Sequence, residues 1–148
     1  MRLLDSLLNK KYFRTLSRQE LKERENIIRK GSKEYIPDDY AEIDSFDGMT
    51  PETAHKLINT GYANPYTRQN EAPTFGELVS FCEKHPGLLM GGYAVGGTRD
   101  DARVTVDTIS GRVRSINELY EVESFAYSNN VTSCDCSYPD LTCYFFWD

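Results

Sequence analysis

LLMGGYAVGGTRDDARVTVDTI (residues 88–109) is the stretch that decides the fold. Leu88 to Val95 and Ala102 to Ile109 are two runs of strand length, and Gly96-Gly97-Thr98-Arg99-Asp100-Asp101 between them has hairpin-loop chemistry. Val104 and Val106 alternate with Thr105 and Asp107, the period of a sheet with one face on core and the other in water. Gly91 and Gly92 fit a strand that another backbone approaches closely. They are not a phosphate loop, since no Lys-Ser/Thr follows and no helix opens behind them.

Reading forward, Ser115-Ile116-Asn117-Glu118 has capping-box form, and Leu119, Val122 and Phe125 support a short helix, with a strand as the alternative. Val131 to Ser137 and Leu141 to Trp147 then read as strands around Tyr138-Pro139-Asp140. Reading backward, Thr74-Phe75-Gly76-Glu77 caps a helix with Phe75, Leu78, Val79 and Cys82 on one face, stopped by His85-Pro86-Gly87. Thr50-Pro51-Glu52 starts another helix, ending at Gly61. Tyr62 to Pro73 has turn chemistry and reads as a loop.

Nearer the amino terminus, residues 31–73 form an acidic-aromatic connection containing that short helix, with Pro37 excluding helix from its first part. Ser17-Arg18-Gln19-Glu20 opens a helix to about Lys30, with Gly31 as its expected left-handed terminator. Leu3, Leu4, Leu7, Leu8, Tyr12 and Leu16 recur at helical spacing and make residues 1–30 a basic helical pair. The expectation is a single α+β domain over residues 1–148. About four antiparallel strands, in the order β-β-α-β-β over residues 74–148, are covered on one face by helices.

The 148 residues include four Cys and carry a formal charge of −6. The count suits one domain core, and the cysteines are too few for a secreted disulfide scaffold. No apolar run reaches the roughly 18 residues of a membrane span, so a cytoplasmic protein with reduced thiols and no membrane partner is expected. The charge is uneven: residues 1–30 hold nine Lys/Arg against four Asp/Glu, residues 31–60 two against seven, and the rest six against twelve. Such polarity serves either an external partner or attraction between neighbouring segments.

No catalytic constellation is visible, and no cofactor is expected. Cys82 and His85 stand at i and i+3 on a helix, but no orienting third residue or oxyanion hole accompanies them. If the last hairpin is symmetric about Pro139 and Asp140, Cys136 lies opposite Cys143, with Cys134 on the same face. Cys134, Cys136 and Cys143 are the metal candidates, to be completed by Cys82 or His85. Cys-x-Cys in a strand holds its sulfurs apart, however, which favours cysteines that simply pack, with a cross-strand disulfide under oxidation as the next alternative.

The favoured functional expectation is a non-enzymatic interaction module. Its acidic-aromatic surface, formed by Tyr35, Asp38, Asp39, Tyr40, Glu42, Asp44, Phe46, Tyr62 and Tyr66, would dock on a basic protein, for instance by inhibiting a nucleic-acid-binding enzyme in the manner of anti-defence or immunity proteins. The alternatives are a small enzyme or ligand-binding domain using the Gly91–Asp101 hairpin, and nucleic-acid binding through Lys10, Lys11, Arg14, Arg18, Lys22, Arg29 and Lys30. The acidity of the remaining chain opposes the latter. The leucine-rich first helix offers a homodimer surface.

Overall fold

A computed structural model describes residues 12, 15–38, 40–96 and 102–148. The helix expected over residues 3–16 lies almost wholly outside these. In chain order the elements are α1 (Arg18–Gly31), β1 (Glu34–Ile36), β2 (Ile43–Met49), α2 (Pro51–Asn59), α3 (Phe75–Lys84), β3 (Leu88–Val95), β4 (Arg103–Arg112), α4 (Ile116–Ser128), β5 (Ser133–Ser137) and β6 (Thr142–Phe146). The strands form one antiparallel sheet in the order β1-β2-β3-β4-β6-β5. No helix among the described residues is long and apolar enough to cross a membrane.

Among the described residues the sheet thus has six strands where about four were expected, and the two additions come from the acidic-aromatic stretch. There the acids hid a period of two: Ser45 and Asp47 are exposed, Phe46 between them is buried, and the strand ends on buried Met49. Pro37 does no harm, because β1 is an edge strand that stops at Ile36.

Register places the core. Met90 pairs with Ile109, Ile109 with Phe145 and Phe145 with Cys134, so one row crosses four strands on one face. The next row runs Leu88, Gly111, Cys143, Cys136, which confirms the predicted pairing of Cys136 with Cys143. Met90, Ile109, Phe145, Leu88 and Cys143 share one buried cluster with Ile28 of α1, Leu57 of α2, Leu78 of α3 and Leu119 and Val122 of α4, and half-buried Cys134 and Cys136 pack against it. Each fully buried side chain of this size stabilises by about 1.5–3 kcal/mol. At the end of β6, Trp147 is fully buried yet satisfied, its Nε1 donating to the Asn129 carbonyl at 2.8 Å.

The caps read from sequence form at Ser17, Thr50 and Thr74. Two terminal details differ. Gly31 stays helical instead of turning left-handed, and an added Cβ there would sit 1.8 Å from Thr53 Oγ1, so this glycine lets α1 approach α2. Ser115 caps α4 through the Glu118 amide, but the Glu118 carboxylate does not return to the cap. In the central hairpin the loop 97–101 lies outside the described residues. Gly92 is tight for the expected reason, since a Cβ would meet the Thr105 carbonyl oxygen at 1.9 Å, and the register shifts between Gly91 and Gly92.

Candidate functional site

The residues expected to form one docking surface are divided by the fold. Phe46 is core. Tyr35 is half-buried: its hydroxyl donates to Asp44, the Arg29 guanidinium lies 4.3 Å from its ring centre, and burial pushes its pKa up. Asp44 also accepts from the Asp38 amide at 2.9 Å, and the Asp38 carboxylate accepts from the Ala41 amide at 3.1 Å. With Glu42 these residues line a cleft of about 350 Å³ that α1 closes with Arg18, Lys22 and Arg24. Buried Arg24 donates to the Val95 carbonyl at 2.8 Å; burial lowers its pKa, against the opposing pull of Tyr35 and Asp44. Here the basic and acidic segments attract each other within one chain. Tyr62 packs on the core and its hydroxyl donates to Glu23 of α1. Tyr40 is fully exposed and Tyr66 is 53% exposed, while Asp39 lies outside the described residues.

Tyr66 belongs to a different feature, a groove of about 600 Å³ between α3 and α4. Its aromatic wall is Tyr66, Phe81 and Phe125, with the two phenylalanine rings stacked at 3.9 Å between centres. Its polar side chains are Thr74, Glu77, Ser80, Lys84, His85 and Glu121. A pocket of this volume with apolar walls and a few convergent polar groups is of the size that takes a ligand or an anchoring side chain.

Local structure fixes His85 at the head of this groove. Its backbone caps the end of α3, donating to the Cys82 carbonyl at 3.3 Å and accepting from the Leu88 amide at 3.1 Å. Gly87 makes the turn into β3 with φ +102°. Glu118, in the first turn of α4, lies 2.9 Å from His85 Nδ1, and both residues are buried. Glu118 also accepts from Arg114 three times: from the amide at 2.7 Å, Nε at 3.2 Å and Nη2 at 2.7 Å. These hydrogen bonds, Arg114's side chain first, hold the Glu118 carboxyl at about 2 despite its burial. An ionised carboxylate can only accept, so His85 Nδ1 carries the proton toward it. Its Nε2 lies 4.0 Å from a carboxylate oxygen of Glu121, which also lines the groove.

From sequence, His85 was a helix stop, an available base, a partner for Cys82 and a fourth zinc ligand. Cys82 is buried, and burial pushes its thiol up to about 12, so the pair holds no activated nucleophile. The overlooked signal was Arg114 immediately before the Ser115 cap, which draws Glu118 out of the capping box.

The cysteines of the last hairpin are the second group. Cys134 and Cys136 Sγ lie 3.9 Å apart, and together with a Glu123 carboxylate oxygen from α4 their ligand atoms all fall within 4.8 Å of one another. Cys143 stays buried in the core and is not part of that set. No protein-family model, curated protein or solved structure matches the chain.

Proposed function

We propose that the chain is a protein-interaction domain whose groove between α3 and α4 receives a cationic side chain from a basic partner. The observation that carries this reading is the head of the groove, where His85, held by Glu118 at Nδ1, stands beside the Glu121 carboxylate and the aromatic wall. A guanidinium or ammonium gains there from aromatic faces and from acceptors together. The rim carries the Glu77 and Glu121 carboxylates against the Lys84 ammonium, and the overall charge of −6 favours encounter with a cation. A nucleic-acid-binding protein, basic where it meets phosphate, is the fitting partner class, and the cytoplasm, where thiols stay reduced, is the fitting compartment.

The test uses a fluorescent arginine-rich peptide and anisotropy at low and high salt. Binding is expected to weaken with salt, and Glu121→Lys or Tyr66→Ala to weaken it about tenfold, a difference of about 1.4 kcal/mol. If both variants bind as wild type while reversing Asp38 and Glu42 to Lys abolishes binding, the partner sits on the β1–β2 side and this reading fails.

The His85–Glu118 pair also favours a second reading, in which His85 Nε2 takes a proton from a substrate hydroxyl or a water. Turnover of chromogenic esters that is lost in His85→Gln and kept in Cys82→Ser supports it. Equal rates in His85→Gln and wild type reject it.

A further inference from the structure

On the other side of α4 lies a cluster that the groove does not use. At 100° per residue, Glu123 stands 200° around the helix from Glu121, so the two carboxylates leave α4 on opposite sides. Glu123 reaches over β5, where Cys134 and Cys136 face the helix. Residues i and i+2 of a strand are about 6.6 Å apart along the chain, yet the sulfurs have turned toward each other to 3.9 Å. The sequence expectation that Cys-x-Cys keeps its sulfurs apart fails at this point.

The spacing is chemically specific. Two thiolates on one tetrahedral zinc, each with a bond of about 2.3 Å, stand about 3.8 Å apart. A disulfide needs about 2.05 Å. The third member is a carboxylate, a hard ligand that suits zinc better than monovalent copper. An outer contact is also in place: the Tyr138 hydroxyl donates to Glu123 Oε1 at 2.9 Å. Such outer partners orient ligands and tune the metal. Among the described residues no further His, Cys, Asp or Glu joins the three.

We propose that Glu123, Cys134 and Cys136 form a zinc site with a fourth position left to water or an incoming ligand. Binding replaces both thiol protons by the metal, so one zinc ion enters and two protons leave to solvent. Because both thiols must give up their protons, zinc affinity rises with pH.

The experiment titrates reduced full-length protein with cobalt(II) alone, then displaces it with zinc(II) alone and weighs the zinc form by native mass spectrometry. The expected result is one equivalent of cobalt with a thiolate-to-cobalt charge-transfer band, lost on adding one equivalent of zinc. Cys134→Ser and Cys136→Ser each lose the band. Glu123→Gln, on a half-buried helical position that leaves both thiols in place, keeps thiolate character but binds about tenfold or more weakly. Cys82→Ser leaves the titration unchanged. Absence of a stoichiometric band in wild type, an undiminished band in folded Cys134→Ser, or cobalt affinity in Glu123→Gln equal to wild type overturns the site.

Discussion

Replacing Glu118 by alanine removes the residue that joins the end of α3 to the start of α4. His85 Nδ1, in a residue 6% exposed, loses its acceptor, which costs about 1–3 kcal/mol. The Arg114 amide loses another, at about 1 kcal/mol. The Arg114 side chain is 65% exposed and returns to water, so its ion pair adds little. The total is about 2–4 kcal/mol, which for a domain of this size lowers Tm by roughly 5–15 °C. Urea unfolding followed by tryptophan fluorescence reports it through buried Trp147. The pH dependence follows from the direction of the Glu118 shift. Its carboxyl is held at about 2, below the ordinary carboxylate range, so its contribution is complete above that range and is lost as pH falls toward about 2. The gap between wild type and Glu118→Ala therefore shrinks on acidification. A loss under about 0.5 kcal/mol, the level of an ordinary surface change, or a gap that widens in acid, refutes the reasoning.

Gly31→Ala, normally worth up to about 1 kcal/mol of added stability inside a helix, is expected to destabilise by about 1–3 kcal/mol because its Cβ would strike Thr53. Thermal melts of Gly31→Ala with and without Thr53→Gly check this, the second change restoring part of the loss. Burial raises the Asp107 pKa, so the folded state disfavours its charge; Asp107→Asn should be more stable than wild type at neutral pH, and urea midpoints should converge as the pH falls and wild-type Asp107 takes up its proton. Phe145→Ala, which empties a fully buried position in the row across β3, β4, β6 and β5, should cost about 3–5 kcal/mol by urea unfolding.

The carboxy-terminal half was legible because each signal there was local. Turn residues bounded the strands, Ser and Thr with Glu three places on marked the caps, and the symmetry of the last hairpin placed Cys136 opposite Cys143. Residues 34–49 were misread for a physical reason: Asp44 and exposed Asp47 within β2 imitate a solvated loop, and only the alternation of Ser45, Phe46 and Asp47 betrays a strand. The groove was not legible. Tyr66, Phe81, His85, Glu121 and Phe125 meet only when α3 packs beside α4, and nothing in their spacing anticipates that contact. The cluster of Cys134 and Cys136 with Glu123 was missed likewise, because Glu123 arrives from a neighbouring element.

The groove is tested most directly by chemical-shift mapping. Isotope-labelled protein is titrated with the arginine-rich peptide while the His85 imidazole nitrogens and the backbone amides are followed. The account predicts that Nε2 of His85 shifts together with the amides of Tyr66, Glu121 and Phe125, and that Nδ1 stays hydrogen-bonded to Glu118. Shifts gathered instead around Asp38, Tyr40 and Glu42, with His85 Nε2 unmoved at saturation, would contradict it.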